Sequence, residues 1–265
     1  MKIGIAGCTG RMGLALIKAV SETEDMTLSA GSIRPDQAVP DRDYWLGCGV
    51  ASGEVPVVTN AQALVAQSDM VIDFTSPAST LALAEQAAAT GTPLIIGTTG
   101  LANAQFEVLE HFANSAPLLW ASNMSVGVTL LNELVREVAK KLDPDFDIEV
   151  VEMHHRHKVD APSGTALSLG RAAAEGRQID FDAMANLSRE GHTGARPIGE
   201  IGFATLRGGD VIGDHTVIFA GPGERIELTH KSSSRSIYAY GALRAVRWLK
   251  GKPAGLYTMH DVLNA

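Results

Sequence analysis

A doubly wound parallel α/β sheet, joined to a smaller α+β unit with a mostly antiparallel sheet, is the architecture this sequence predicts. Three observations carry it. Short apolar runs alternate with helical periodicity up to about residue 125. A glycine-rich turn follows the first of those runs and opens a helix. Beyond residue 200, strand-like runs follow one another with only glycine-rich turns between them.

In the first half, Lys2–Ala6 is a short apolar run that opens onto glycines, as a buried strand does. Residues 11–20 carry Leu14, Leu16, Ile17 and Val20 and predict a helix. Residues 26–30 and 55–58 are the next strand candidates, and residues 70–74 are a further buried strand. Ser76 then offers an N-cap with Pro77 in the first helical position. That helix runs through Leu81, Ala84 and Ala88 to a terminating Gly91. Residues 94–96 predict a strand, 97–100 a loop, 103–112 a helix and 118–121 a strand. Right-handed crossovers bring all strand C-terminal ends to one edge, where ligands bind in such sheets.

The second half reads differently. Residues 126–142 place Leu131, Leu134, Val135 and Val138 at helical spacing. A strand at 148–153 and a helix at 165–175 follow, and the Gly-, Pro-, Arg- and Ser-rich stretch 188–199 reads as a loop. Three strand-like runs at 201–206, 211–220 and 225–230 are separated by Gly208-Gly209 and Gly221-Pro222-Gly223, which predicts an antiparallel meander. A final helix at 236–249 is expected to return to the first unit. The expected units are therefore 1–125 plus 235–265, for a dinucleotide, and 126–234, for substrate.

Gly7-Cys8-Thr9-Gly10-Arg11-Met12-Gly13 sits directly after a strand and opens a helix, the context a Rossmann-type dinucleotide turn requires. Glycines permit close approach of the main chain to a pyrophosphate, and the helix start supplies amides and partial positive charge. The spacing is GxxGxxG rather than GxGxxG. At the end of the second strand Ser32 and Ile33 stand where an acidic residue would grip ribose hydroxyls, while Arg34 can pair with a 2′-phosphate. That leans toward NADPH, or use of both NADPH and NADH. Gly97-Thr98-Thr99 and Ala121-Ser122-Asn123-Met124 lie at two further predicted strand ends and can line the nicotinamide and ribose.

The net charge of −8 and the lack of any basic run beyond Lys140-Lys141 argue against a nucleic-acid partner. They also require any anion site to be built locally. Two cysteines, Cys8 and Cys48, do not make a disulfide framework. No apolar run is long enough to span a bilayer, so a cytoplasmic setting is expected.

The densest chemistry lies in Glu152-Met153-His154-His155-Arg156-His157-Lys158-Val159-Asp160-Ala161-Pro162-Ser163-Gly164-Thr165. Crowding ionisable bases makes full protonation costly and shifts pKa values toward useful proton transfer. The helix start that follows lets Gly164 and Thr165 present amide hydrogens to a carboxylate. Arg156 and Lys158 disfavour a dication, so no metal is expected. The isolated histidines His111, His192, His215, His230 and His260 are read as structural.

This stretch resembles the signature of the 4-hydroxy-tetrahydrodipicolinate reductase (dihydrodipicolinate reductase) family. The resemblance extends to Val71-Ile72-Asp73-Phe74-Thr75, Ile96-Gly97-Thr98-Thr99-Gly100, Ser188-Arg189-Glu190-Gly191-His192-Thr193-Gly194, and Thr229-His230-Lys231 with Arg235. It implies an enzyme of diaminopimelate and lysine biosynthesis, a homotetramer joined through its C-terminal sheet. The reaction implied is reduction of a cyclic imine dicarboxylate with NAD(P)H. By residue match, His154 takes the proton donor/acceptor position and Lys158 the proton-donor position. His155, Gly164, Thr165 and Arg235 match substrate contacts. Gly7, Cys8, Thr9, Gly10, Arg11, Met12, Arg34, Gly97, Thr98, Thr99, Ala121, Ser122, Asn123 and Met124 match cofactor positions. Two departures stand out: Ile33 replaces an acidic residue common in relatives, which weakens the case for NADH, and Met124 replaces a common Phe. Rival readings are another two-domain amino-acid-type dehydrogenase, a non-catalytic NADPH-binding module, and a metallohydrolase.

Overall fold

The computed structural model describes residues 1–264. By contacts the chain divides into two units, 1–125 with 236–265, and 126–235, so that Arg235 falls with the second.

The first unit begins with β1 (Lys2–Ala6), α1 (Arg11–Ser21), β2 (Thr27–Ser32), α2 (Arg42–Gly47), β3 (Val57–Val58) and α3 (Ala61–Ala66). It continues with β4 (Met70–Asp73), α4 (Pro77–Thr90), β5 (Leu94–Ile96), α5 (Asn103–Ala113) and β6 (Pro117–Trp120). The second unit holds α6 (Val126–Lys141), β7 (Asp147–His154), α7 (Gly164–Arg177), α8 (Phe181–Met184), β8 (Ala185–Asn186), β9 (Ile201–Arg207), β10 (Gly213–Gly221) and β11 (Glu224–Ser232). The chain then returns as α9 (Ser236–Leu249), β12 (Gly255–Tyr257) and α10 (Met259–Leu263).

Seven parallel strands order themselves β12-β6-β5-β4-β1-β2-β3. The direction of strand order reverses at β1, so the turns after β1 and β4 flank a topological switch point. Both faces of the central strands are covered, which is why β4 and β5 are buried along their whole length and read as apolar runs, broken only by Asp73 at the end of β4. Gly91 ends α4 in the left-handed region at φ 72°, as expected of a glycine there. Ser76 holds the N-cap position, yet its hydroxyl makes no cap bond.

The second sheet differs from expectation. Its order is β11-β10-β7-β9-β8, a mixed sheet rather than a simple meander. β10 and β11 form the predicted antiparallel hairpin, but β9 pairs in parallel with β7. Gly208-Gly209 is not a hairpin turn. Gly208 N donates to His154 O at 2.9 Å and His155 N donates to Val211 O at 2.7 Å. The chain thus wraps around the end of β7 before returning as β10. Burial alternates along β7 and β10, and the inner residues (Ile148, Val150, Val217, Phe219) pack under α6 and α7 through Leu131, Val135 and Leu169.

Candidate active site

The end of β7 is the chemical centre of the second unit. Glu152 and His154 are two residues apart and share the inner face of the strand, where both are buried. Because β7 lies between β9 and β10, the register brings Arg207 beside His154 and His215 beside Glu152. Arg207 forks onto Glu152, with Nη1 to Oε2 at 2.9 Å and Nη2 to Oε1 at 3.0 Å. Glu152 also accepts from the Ser163 amide at 3.1 Å and is bonded to His154 Nδ1. Burial by itself would raise the Glu152 carboxyl, but the Arg207 fork and His154 outweigh it and hold it below the usual range. His154 is pulled below the usual imidazole range by burial, against the opposing influence of Glu152.

Ser163 caps α7: its hydroxyl accepts from Ala166 N at 3.2 Å and bonds His215 Nε2 at 3.1 Å. His215 packs edge-on to His154 with ring centroids 5.1 Å apart. Burial first, and the neighbouring His154 next, push His215 down to about 4. Gly164, the first residue of α7, is exposed, and a Cβ there would meet nothing within 4 Å. A carboxylate therefore has room to approach the helix start.

Lys158 Nζ donates to both oxygens of Asp160 at 2.7 and 2.8 Å, and its ammonium holds the Asp160 carboxyl below the usual range. His155 turns the other way and meets Arg235, with Nη2 to Nε2 at 3.4 Å. Arg156 and His157 are exposed. The basic run is thus sorted rather than crowded, with His154 inward, His155 toward Arg235 and Lys158 onto Asp160.

In the first unit, Gly7 has φ 65°, and a Cβ on Gly13 would lie 2.3 Å from Gly7 O, so both positions need glycine. The N-cap is Gly10, which has no side chain to occupy the first amides of α1, and the first turn carries no acidic residue. Thr9, Gly10, Arg11 and Met12 are at least partly accessible around that helix start, which fits the pyrophosphate of a dinucleotide. Cys8 serves the turn itself. Its amide donates to Ser32 O at 3.0 Å, its carbonyl accepts from Tyr44 Oη at 2.7 Å, and its thiol is buried against Gly31.

Arg34 is exposed and 3.6 Å from Asp36, whereas Ile33 is buried. Gly97 N donates to Asp73 O, and Phe74 occupies the space a Cβ on Gly97 would need. Thr98 is buried and Thr99 exposed. Ser122 is exposed, Asn123 Oδ1 accepts from Ser125 N at 2.8 Å, and Ala121 and Met124 are buried, the latter with its carbonyl against Gly241 of α9.

Sequence reasoning passed over several residues. Arg207 and His215 reach the site only through sheet register, for which the local sequence gives no sign. Asp73 is fully buried and accepts from Thr75 Oγ1 (2.5 Å), Thr80 Oγ1 (2.5 Å) and Thr98 Oγ1 (3.1 Å), tying the turns after β4 and β5 together. Burial pushes its carboxyl up, against the lowering effect of those hydroxyls. The only hint was an acid inside an apolar strand.

Comparison with known proteins agrees with both halves. A family model described as dihydrodipicolinate reductase, N-terminus, matches residues 1–124, and one described as dihydrodipicolinate reductase, C-terminus, matches residues 127–263. The chain belongs to the dihydrodipicolinate reductase family. The curated 4-hydroxy-tetrahydrodipicolinate reductase of Rhodopseudomonas palustris (strain BisA53) is 51% identical, over 99% of this chain and 96% of that protein. The one from Thiobacillus denitrificans (strain ATCC 25259 / T1) is 48% identical, over 99% and 98%. Among solved structures, dipicolinate-bound dihydrodipicolinate reductase from Paenisporosarcina sp. TG-14 superposes with TM-score 0.77 at 25% identity, covering 97% of each chain. Aspartate dehydrogenase from Thermotoga maritima superposes at 0.50 with 15% identity over 96% of this chain and 98% of that one, a likeness of fold alone. As a member of the reductase family the protein is an oxidoreductase with an NAD(P)-binding Rossmann unit.

Proposed function

We propose that this protein reduces the cyclic imine dicarboxylate derived from 4-hydroxy-tetrahydrodipicolinate to tetrahydrodipicolinate, in diaminopimelate and lysine biosynthesis, with His154 and Lys158 as its proton-handling groups. The observation that carries this residue-level reading is the turn after β7. There a buried histidine, an ammonium and an exposed helix start lie within one strand-to-helix connection.

Bound reduced nicotinamide supplies a hydride. The dinucleotide's holders are Gly7, Thr9, Gly10, Arg11 and Met12 at the α1 start, Arg34 at the ribose end, and the turns Gly97–Thr98–Thr99 and Ala121–Ser122–Asn123–Met124. Cys8, Thr98 and Met124 act by shaping those turns, since their side chains are buried. The lack of an acidic residue at Ile33, with Arg34 exposed beside it, favours NADPH or dual use.

Substrate carboxylates are held by the Gly164 and Thr165 amides at the α7 start and by Arg235 with His155. A hydride added to the conjugated imine would leave a negative charge delocalised onto the ring nitrogen. One proton would then complete the reduction, and Lys158 is its proposed donor. The half-exposed outer face of the second sheet supports assembly as a homotetramer through that sheet, and a cytoplasmic setting suits a biosynthetic reductase.

The test is an absorbance assay of reduced nicotinamide with freshly generated substrate. Turnover with NADPH, at an efficiency equal to or above that with NADH, is expected. Nucleotide binding without turnover would leave only a binding module.

A further inference from the structure

We infer that Glu152, clamped by Arg207, is a positioning residue that fixes His154 in the Nδ1–H tautomer, so that the imidazole meets substrate as a hydrogen-bond acceptor through Nε2. The inference rests on the reading above that His154 touches substrate.

Four hydrogen bonds converge on the Glu152 carboxylate. Oε1 of Glu152 accepts from Arg207 Nη2 at 3.0 Å and from Ser163 N at 3.1 Å. Oε2 accepts from Arg207 Nη1 at 2.9 Å and is bonded to His154 Nδ1. An ionised carboxylate has only acceptors to offer, so the hydrogen in the fourth bond must come from His154 Nδ1. A guanidinium forked onto the same carboxylate keeps it ionised. Once Nδ1 carries the proton, the neutral ring has its lone pair on Nε2.

The surroundings maintain that state. His154 faces Glu152 from its own strand, Arg207 from β9, His215 from β10 and Lys158 from the following turn, and burial together with the cations Lys158 and Arg207 opposes a second proton on the ring. Gly213 leaves room beside Nε2, since a Cβ there would lie 3.1 Å from that atom. Arg207 also ties the turn down through Nη2 to Asp160 O at 2.7 Å. One arginine therefore sets both the ring that accepts and the segment carrying Lys158. This divides the proton-handling work: His154 accepts through Nε2, and the ammonium of Lys158 remains as donor.

The direct test is two-bond ¹H–¹⁵N spectroscopy of the full-length protein with ¹⁵N-labelled histidine at pH 7.5, His154 being assigned by its loss in His154→Asn. A pattern with a protonated Nδ1 and unprotonated Nε2 is expected. An Nε2–H ring, or an imidazolium, would overturn the inference without any variant of the clamp being needed. In Glu152→Gln the carboxamide can donate to Nδ1, so mixed tautomers and a kcat lowered about 10²-fold with unchanged nucleotide KM are expected. Arg207→Lys, which keeps a cation but loses the fork, should fall between. Wild-type kcat and an unaltered His154 pattern in Glu152→Gln would equally overturn it. Failure of the functional reading looks different: His154→Asn and Lys158→Ala would then both turn over normally, whatever the tautomer.

Discussion

Lys158 spends two donors on Asp160, yet an ammonium has three. The remaining hydrogen, and the flexibility of the stem, suit it to proton transfer rather than to a structural ion pair alone. Lys158→Ala is therefore expected to lower kcat by about 10²–10⁴-fold, the range of positioned proton transfer, with little effect on cofactor KM. Steady-state kinetics with each nucleotide checks this, and an equal loss of cofactor binding would count against the assignment. His215 makes a different prediction. Its pKa falls from 6.5 to about 4 on folding. Below pH 6.5 the unfolded chain takes up a proton that the folded chain refuses, so stability drops as pH falls from 6.5 toward 4, by about 3 kcal/mol at the end of that window. His215→Gln removes this proton uptake while keeping a polar partner for Ser163. Urea midpoints at pH 7 and pH 4.5 should then lie closer together in the variant than in the wild type. Equal separations would mean that His215 is not buried neutral.

At the scale of elements, the strand-to-helix turn after β1 is the most constrained piece of backbone. Ala at position 13 would push its methyl group to 2.3 Å from Gly7 O and 2.7 Å from Cys8 O. Main-chain carbonyls cannot swing aside as a side chain does, so the turn must open. Gly13→Ala should cost about 1–3 kcal/mol, as overpacking does, and weaken NADPH binding in a fluorescence titration. Gly47→Ala, at the end of α2 with nothing within 4 Å, is the control and should bind normally. The same turn shows what sequence could reveal. A strand opening onto spaced glycines is a local pattern, and so are the α4 terminus at Gly91 and the Ser163 cap of α7. The core strands of the first sheet were legible because burial on both faces makes them almost wholly apolar runs. The order β10-β7-β9 was not, since Gly208-Gly209 looks like a hairpin turn whichever strand lies beyond it. Arg207 and His215 were hidden for the same reason: each meets Glu152 across a ladder, at a separation of more than fifty residues. Short elements such as α2, α3, β12 and α10 lacked the length for periodicity to show, although Asp41 and Asn60 do cap α2 and α3.

At the scale of the molecule, the net charge of −8 repels an anionic substrate, so the proposed recognition rests on the few cations and amides at the end of β7. The second sheet presents a different problem. Its inner face is covered by α6 and α7, while the outer face offers Val151, Met153, Thr216 and Ile218 half-exposed and Thr229 and Leu206 exposed, beside Glu149, Asp214 and Glu227. β11 also leaves a nine-residue edge strand at the sheet's end. Apolar side chains open to water on a sheet face, next to an unpaired edge strand, are costly and are commonly covered. Symmetric pairing with copies of the same chain closes such a face without leaving a new one exposed. The proposed homotetramer predicts a light-scattering mass four times that of the 27.9 kDa chain. Val151 lies at the middle of this face, paired across to Thr216 and Ala204. An ammonium placed there costs little against water but would be buried unpaired in an assembly. Val151→Lys should therefore lower the measured mass while leaving the far-ultraviolet circular dichroism unchanged. A wild-type protein at the mass of one chain, or a Val151→Lys protein still at four, would mean that this sheet face is not where copies meet.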